Sequence, residues 1–309
     1  MESIKTGAVG RFIIDLGALK RAWRALARAA APADVGAIVS ADACGLGAAH
    51  AAATLESVGC RYFFTGMAGE ALALKPVLSP QTQLYVLNPL ISSDEAHCAG
   101  AGIMPVFRSA DQARRWTSRI GGKRGPAPLL LQTTGSGSRT RIPPAIAKAE
   151  QNIACRSMDG GPLLFARTLH DLPPAGSKAP AIVSLQVSVV QTRTVPVGDG
   201  VGYGKTHIAK RPMRVATISA GYADGIPRSL AHRGSVYFRG LRLPLCGMVS
   251  MDTVGVDITR LPEGAIRPGD LVEMIGPHQT LTRLAADART IPSEILAKLG
   301  RRYPRDYRT

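Results

Sequence analysis

The sequence predicts two domains: an α/β domain with a parallel sheet over residues 1–180, followed by an all-β domain over residues 181–309. Three observations carry this reading. From residue 35 to 134 short apolar runs alternate with helical stretches, the rhythm of repeated βα units. Beyond a loop marked by Pro173, Pro174 and Gly176 the apolar runs continue while the helices between them stop. A chain of 309 residues is also long for one domain and comfortable for two.

In chain order, an opening strand at Phe12–Ile14 leads into a helix over Ala18–Ala29. The strands of the α/β domain fall at Val35–Ala41, Tyr62–Thr65, Gln83–Leu87, Ile103–Phe107 and Pro128–Thr133. Helices between them are expected at His50–Val58, Glu70–Leu78 and Ala110–Ile120, the last with polar and apolar residues at helical spacing. Pro143-Pro144 reads as the first turn of a further helix reaching about Cys155, and Pro162–Ala166 as one more strand. The second domain places strands at Ile182–Val190, Arg214–Ile218, Ser235–Phe238, Met248–Ser250, Val254–Ile258 and Leu271–Ile275, with a closing helix near Ile291–Leu299.

Composition narrows the function classes. Hydrophobic residues at 45% and charged residues at 19% suit a folded protein with a sizeable core. A net charge of +16 points to an anionic partner: nucleic acid, a membrane surface or a phosphorylated small molecule. The basic residues are scattered, however, densest at Arg301, Arg302, Arg305 and Arg308 and at Lys123-Arg124, and no aromatic platform accompanies them. A solvated arginine-rich surface is therefore expected, without nucleic-acid binding. Glycines at 135–138 lack the G-K-[ST] ending of a nucleotide loop. Cys44, Cys60, Cys98, Cys155 and Cys246 are odd in number and form no C-x-x-C pair, so reduced thiols and a cytoplasmic location are expected. No apolar run approaches the roughly 18 residues of a membrane span, and none reads as a secretion signal.

Two motifs carry more. Gly221-Tyr222-Ala223-Asp224-Gly225-Ile226-Pro227-Arg228, followed by Val249-Ser250-Met251-Asp252, resembles two signatures of the alanine racemase family. Ile14–Leu19, Val201–Gly204 and Thr290–Ile295 with Pro304-Arg305 resemble flanking segments of the same family. The resemblance implies a βα barrel that binds pyridoxal phosphate, then a β domain. It also implies a homodimer whose active site joins barrel residues of one subunit to β-domain residues of the other. In that family a lysine and a tyrosine move a proton on opposite faces of the bound cofactor, which acts as electron sink. Tyr222 matches the tyrosine, Met251 the residue whose backbone N–H holds the substrate carboxylate, and Asp252 is expected to orient that turn.

Elsewhere the chain departs from the pattern. Ala37–Gly47 resembles the family's first barrel strand and loop, yet Ser40 stands at the place of the cofactor-binding lysine, Cys44 at that of a phosphate-contacting tyrosine and Leu46 at that of a histidine. A hydroxyl forms no imine with an aldehyde. Gly160 stands where an arginine would face the cofactor ring, and Arg139, or Arg141 in a shifted register, matches the arginine near the substrate carboxylate. Arg11 to Pro180 spans only 170 positions, whereas an eight-unit barrel takes about 250 residues. The expected barrel is thus shortened to about six strands, leaving two open edges. Three functions follow: a family protein deficient in racemisation, with pyridoxal phosphate bound non-covalently or not at all; a pseudoenzyme pairing with an intact racemase; or a protein reusing the pocket for another anionic small molecule.

Overall fold

The structure, a computed structural model, describes residues 10–119, 129–132, 152–157, 163–169 and 181–309. The chain divides into two compact units, Leu16–Ala179 and a second made of Met1–Asp15 with Pro180–Thr309. The opening strand β1 (Gly10–Asp15) therefore belongs with the β unit, not with the α/β unit as expected from its position. Its partners lie at residues 183–187 and 305–308, so no local pattern reveals them.

The first unit begins with α1 (Leu16–Ala30), which buries Leu16, Leu19, Trp23, Leu26 and Ala30 along one stripe. Strands β2 (Asp34–Ile38), β3 (Tyr62–Thr65), β4 (Gln83–Val86), β5 (Met104–Phe107) and β6 (Leu129–Gln132) pair in parallel. Between them run α2 (Ala48–Glu56), α3 (Ala68–Leu74), α4 (Ser92–Gly100) and α5 (Ala110–Arg119). Phe63, Phe64, Leu84 and Tyr85 are fully buried. Both faces of these strands are covered, which is why they read as continuous apolar runs.

Two expectations are corrected here. The segment taken for the end of a helix at Cys155 forms β7 (Asn152–Ser157), antiparallel to β6 and to β8 (Leu163–Thr168), and β8 returns in parallel to β2. The ring therefore closes with seven strands among the described residues, instead of about six with open edges. An antiparallel strand needs no crossover helix to join its neighbours, so β7 completes the ring without one and removes the edges. The prolines that suggested the helix, Pro143 and Pro144, lie outside the described residues.

The second unit is built on β9 (Val183–Val195), whose first half pairs with β1 and whose second half pairs with a different strand. After the small ribbon β10 (Gly200–Val201) and β11 (His207–Ile208) come β12 (Met213–Ile218), β13 (Ser235–Phe238), β14 (Leu241–Cys246), β15 (Val254–Asp257) and β16 (Leu271–Ile275). Pairings run from β9 through β16, β13, β14, β15 and β12 back to β9. Met248–Ser250, expected as a strand, is instead the approach to a turn, with a single bridge between Met248 and Tyr203. Two helices follow, α6 (Leu281–Ala288), capped by the Thr280 hydroxyl, and α7 (Pro292–Lys298), before β17 (Arg305–Arg308) pairs in parallel with β1.

Candidate functional site

The candidate residues lie in two clusters, one in each unit. In the barrel unit the chain leaves β2 at Ile38, three residues short of the expected end at Ala41, and Ser40 follows at the carboxyl end of the strand. That end of a parallel barrel is where such folds carry their chemistry. Ser40–Cys44 closes one helical turn of the opposite hand: φ is +53° at Ala41, +55° at Asp42, +57° at Ala43 and +56° at Cys44. Left-handed residues other than glycine cost about 1–2 kcal/mol each, so the turn must be held from outside.

Glu70, on α3, supplies the hold. One carboxylate oxygen accepts the Ala41 N–H at 2.6 Å, and the other accepts those of Gly66 at 3.1 Å and Met67 at 3.2 Å. The Asp42 carboxylate accepts the Ala48 N–H at 2.7 Å and so ties the turn to the start of α2. Ala43 and Leu46 are packed into the core. Within this frame the Ser40 hydroxyl is buried and has no hydrogen-bond partner among the described residues. No described general base takes its proton, so within the described residues it is a poor nucleophile.

In the β unit the two motifs meet backbone to backbone. The Tyr222 N–H donates to the Ser250 carbonyl at 3.0 Å and the Ala223 N–H to the Met251 carbonyl at 3.0 Å. Gly221 makes this approach possible: a Cβ there would lie 2.0 Å from the Met251 oxygen. Gly225, at φ +90°, likewise lies against the Lys298 carbonyl at the end of α7. The Ser250 hydroxyl donates to the Thr253 carbonyl at 2.7 Å and closes the turn that carries Met251 and Asp252.

Charge reinforces the junction. Asp224 is 1% exposed; one oxygen accepts the Gly221 N–H at 2.9 Å, and the other lies 3.2 Å from Arg302 Nε without hydrogen-bond alignment. Arg302 Nη1 binds Asp252 at 2.7 Å, so one guanidinium spans both motifs. Burial pushes the Asp224 carboxyl above the ordinary carboxylate range; the Gly221 N–H and Arg302 oppose the rise and Asp252 adds to it. Tyr222 remains 43% exposed, its hydroxyl without a hydrogen-bond partner among the described residues, and the Arg228 guanidinium lies over its ring, 5.8 Å from the centroid. Met251 is 54% exposed, and its N–H donates to no described residue. The cluster thus presents a phenol able to give or take a proton beside a free backbone donor suited to a carboxylate. No metal-ligand group occurs among the described residues, and no described helix is long and apolar enough to cross a membrane.

Residues 14–153 match the family model described as "Alanine racemase, N-terminal domain", and residues 182–307 match "Alanine racemase, C-terminal domain". The chain belongs to the alanine racemase family. It is 42% identical to a catabolic alanine racemase of Rhizobium johnstonii, over 99% of this chain and 97% of the relative, and 38% identical to an alanine racemase of Brucella canis, over 97% and 94%. A crystal structure of alanine racemase from Bartonella henselae with covalently bound pyridoxal phosphate superposes with a TM-score of 0.82 at 31% identity, covering 97% of this chain and 99% of that one. The Rhizobium alignment has 364 positions against 309 residues here, so at least 55 of them hold no residue of this family member.

Of the residues singled out from the sequence, Tyr222 and Met251 come together, and Asp252 holds Arg302. Ser40 and Cys44 share the left-handed turn, Cys44 half-buried. Arg139, Arg141 and Gly160 lie outside the described residues. Glu70 and Arg302 were not singled out for these roles. Glu70 had a signal, an acid three positions after Met67 at a helix start; Arg302 had none, since its partners lie 50 and 78 positions away.

Proposed function

We propose that this member of the alanine racemase family does not racemise alanine by the lysine-dependent route. The single observation that carries the proposal is Ser40, a hydroxyl at the carboxyl end of β2 where the family's pattern calls for the cofactor-binding lysine. The residues present do not fit a covalently held pyridoxal phosphate. The Ser40 oxygen is buried and partnerless among the described residues, and the described lysines of the barrel unit, Lys20 and Lys75, lie on α1 and on the turn after α3.

The β-unit half supports a retained binding role. Tyr222 and the free Met251 N–H stand together and exposed, an arrangement suited to a small carboxylate ligand. Exposed Tyr203, Tyr222 and Met251 on one unit also favour assembly, as a homodimer or with an intact racemase. The barrel count is read as a shortened form of the family fold, in keeping with the aligned positions this chain lacks. The test is chiral chromatography of alanine after incubation with the purified protein. L-alanine is expected to remain L-alanine with or without added pyridoxal phosphate; appearance of D-alanine without added cofactor overturns the proposal. Proton-transfer groups contribute about 10²–10⁴-fold each, so a lost lysine leaves little residual rate.

A further inference from the structure

A cavity of about 610 Å³ opens beside Tyr222 on the β unit, lined among others by Arg228, Arg289, Glu294 and Lys298. That volume lies within the range of small-molecule sites. Its one acidic side chain is already engaged: Lys298 pairs with one oxygen of Glu294, and the Thr290 hydroxyl donates to the other. Arg228 and Arg289 have no acidic partner among the described residues, so the cavity carries two unmatched guanidinium groups.

Their placement is fixed by the fold. Arg228 begins a 3-10 turn, and Arg289 closes α6 with φ +57°. The neighbours of the two arginines are joined directly, the Ser229 hydroxyl donating to the Ala288 carbonyl at 2.7 Å. Both arginines are exposed to water at the cavity, and Arg228 rests over the Tyr222 ring. Guanidinium is the side-chain group that best matches the paired oxygens of carboxylate and phosphate.

We infer that this cavity binds a small oxyanion, a carboxylate or phosphate group, between Arg228 and Arg289. Binding at Arg228 competes with its contact on Tyr222 and so places an anion beside the exposed phenol. The inference concerns binding alone and stands whether or not the chain racemises alanine.

Calorimetric titration of the purified full chain with inorganic phosphate, and separately with acetate, tests it at fixed ionic strength with chloride as reference, so that general screening is held constant. Saturable binding of one of the two is expected, and which one saturates distinguishes a phosphate from a carboxylate site. Arg228→Gln and Arg289→Gln should each weaken it by about tenfold or more, as loss of a charge-assisted pair implies. Arg283→Gln, on the same helix but outside the cavity, should leave binding unchanged. Arg228→Lys keeps the charge without the planar fork, and its intermediate affinity, at an unchanged melting temperature, separates recognition from misfolding. A response equal to that of chloride, or equal in the Arg228→Gln and Arg289→Gln proteins, means an adventitious ion only and overturns the inference.

Discussion

Replacing Gly221 by alanine tests how the two motifs are joined. The added Cβ would lie 2.0 Å from the Met251 oxygen, 2.3 Å from its carbonyl carbon and 2.4 Å from the Asp252 nitrogen. All three are backbone atoms, so no rotamer change relieves the contact; the strands of chain must separate. Separation strains the two hydrogen bonds that cross the junction, from Tyr222 to Ser250 and from Ala223 to Met251. At about 0.5–1.5 kcal/mol for each bond and about 1–3 kcal/mol for overpacking, the loss is about 2–6 kcal/mol. For a unit of this size that lowers the melting temperature by roughly 5–20 °C. Calorimetry gives the melting temperature, and hydrogen exchange at the Tyr222 and Ala223 amides, which donate the two bonds, shows where the structure loosens. Gly69→Ala is the control, because its Cβ would meet nothing within 4 Å and an alanine in a helix is favoured by about 0.5–1 kcal/mol. If Gly221→Ala melts with the parent and exchanges no faster at those amides, the close packing of the motifs is not what holds Tyr222 and Met251 together.

Glu70→Ala removes the acceptor of three backbone N–H groups and should cost about 1–3 kcal/mol, with the fastest new amide exchange at Ala41; slow exchange there would refute the role of Glu70. Thiol labelling should separate the cysteines. Burial pushes Cys60, Cys155 and Cys246 up to about 12 from 9.0 and also raises Cys98, so at pH 8 half-buried Cys44 should react first and the others only on unfolding. Because these folded-state values exceed the unfolded ones, their contribution is full below about pH 9 and falls as pH rises from there toward 12; a melting temperature that climbs across that window contradicts the buried-thiol picture. Ser40→Lys should bind pyridoxal phosphate at position 40 in a form that borohydride reduces to a stable lysine adduct, while alanine racemisation stays far below a typical enzymatic rate of about 10 per second; full activity would show that the rest of the pocket is intact.

The strands at Tyr62–Thr65, Ser235–Phe238 and Leu271–Ile275 were legible because aromatic and β-branched runs bounded by breakers admit one reading. The end of β2 was not, because the left-handed turn after Ile38 depends on Glu70, 29 positions from Ala41, and apolar spacing carries no trace of it. β7 is hidden in the sequence because Pro143-Pro144 is a local helix signal, while the pairing that makes Asn152–Ser157 a strand is set by β6 and β8. α6 had a usable cap at Thr280 that the run of β-like segments obscured. In the site, Tyr222 and Met251 were visible as motifs, and the structure adds their junction. What no motif displays is the guanidinium of Arg302 spanning Asp224 and Asp252, since ion pairs between distant segments follow from the fold alone.

With Ser40 in place of the family's lysine, no lysine of this chain is expected to hold pyridoxal phosphate where the family holds it. Reductive trapping measures this directly: the purified protein is incubated with pyridoxal phosphate, reduced with borohydride, digested and mapped by mass spectrometry. No stoichiometric cofactor-modified lysine is expected, while Ser40→Lys treated identically is modified at position 40. A single lysine of the wild-type chain modified in full, at low cofactor concentration, would contradict it.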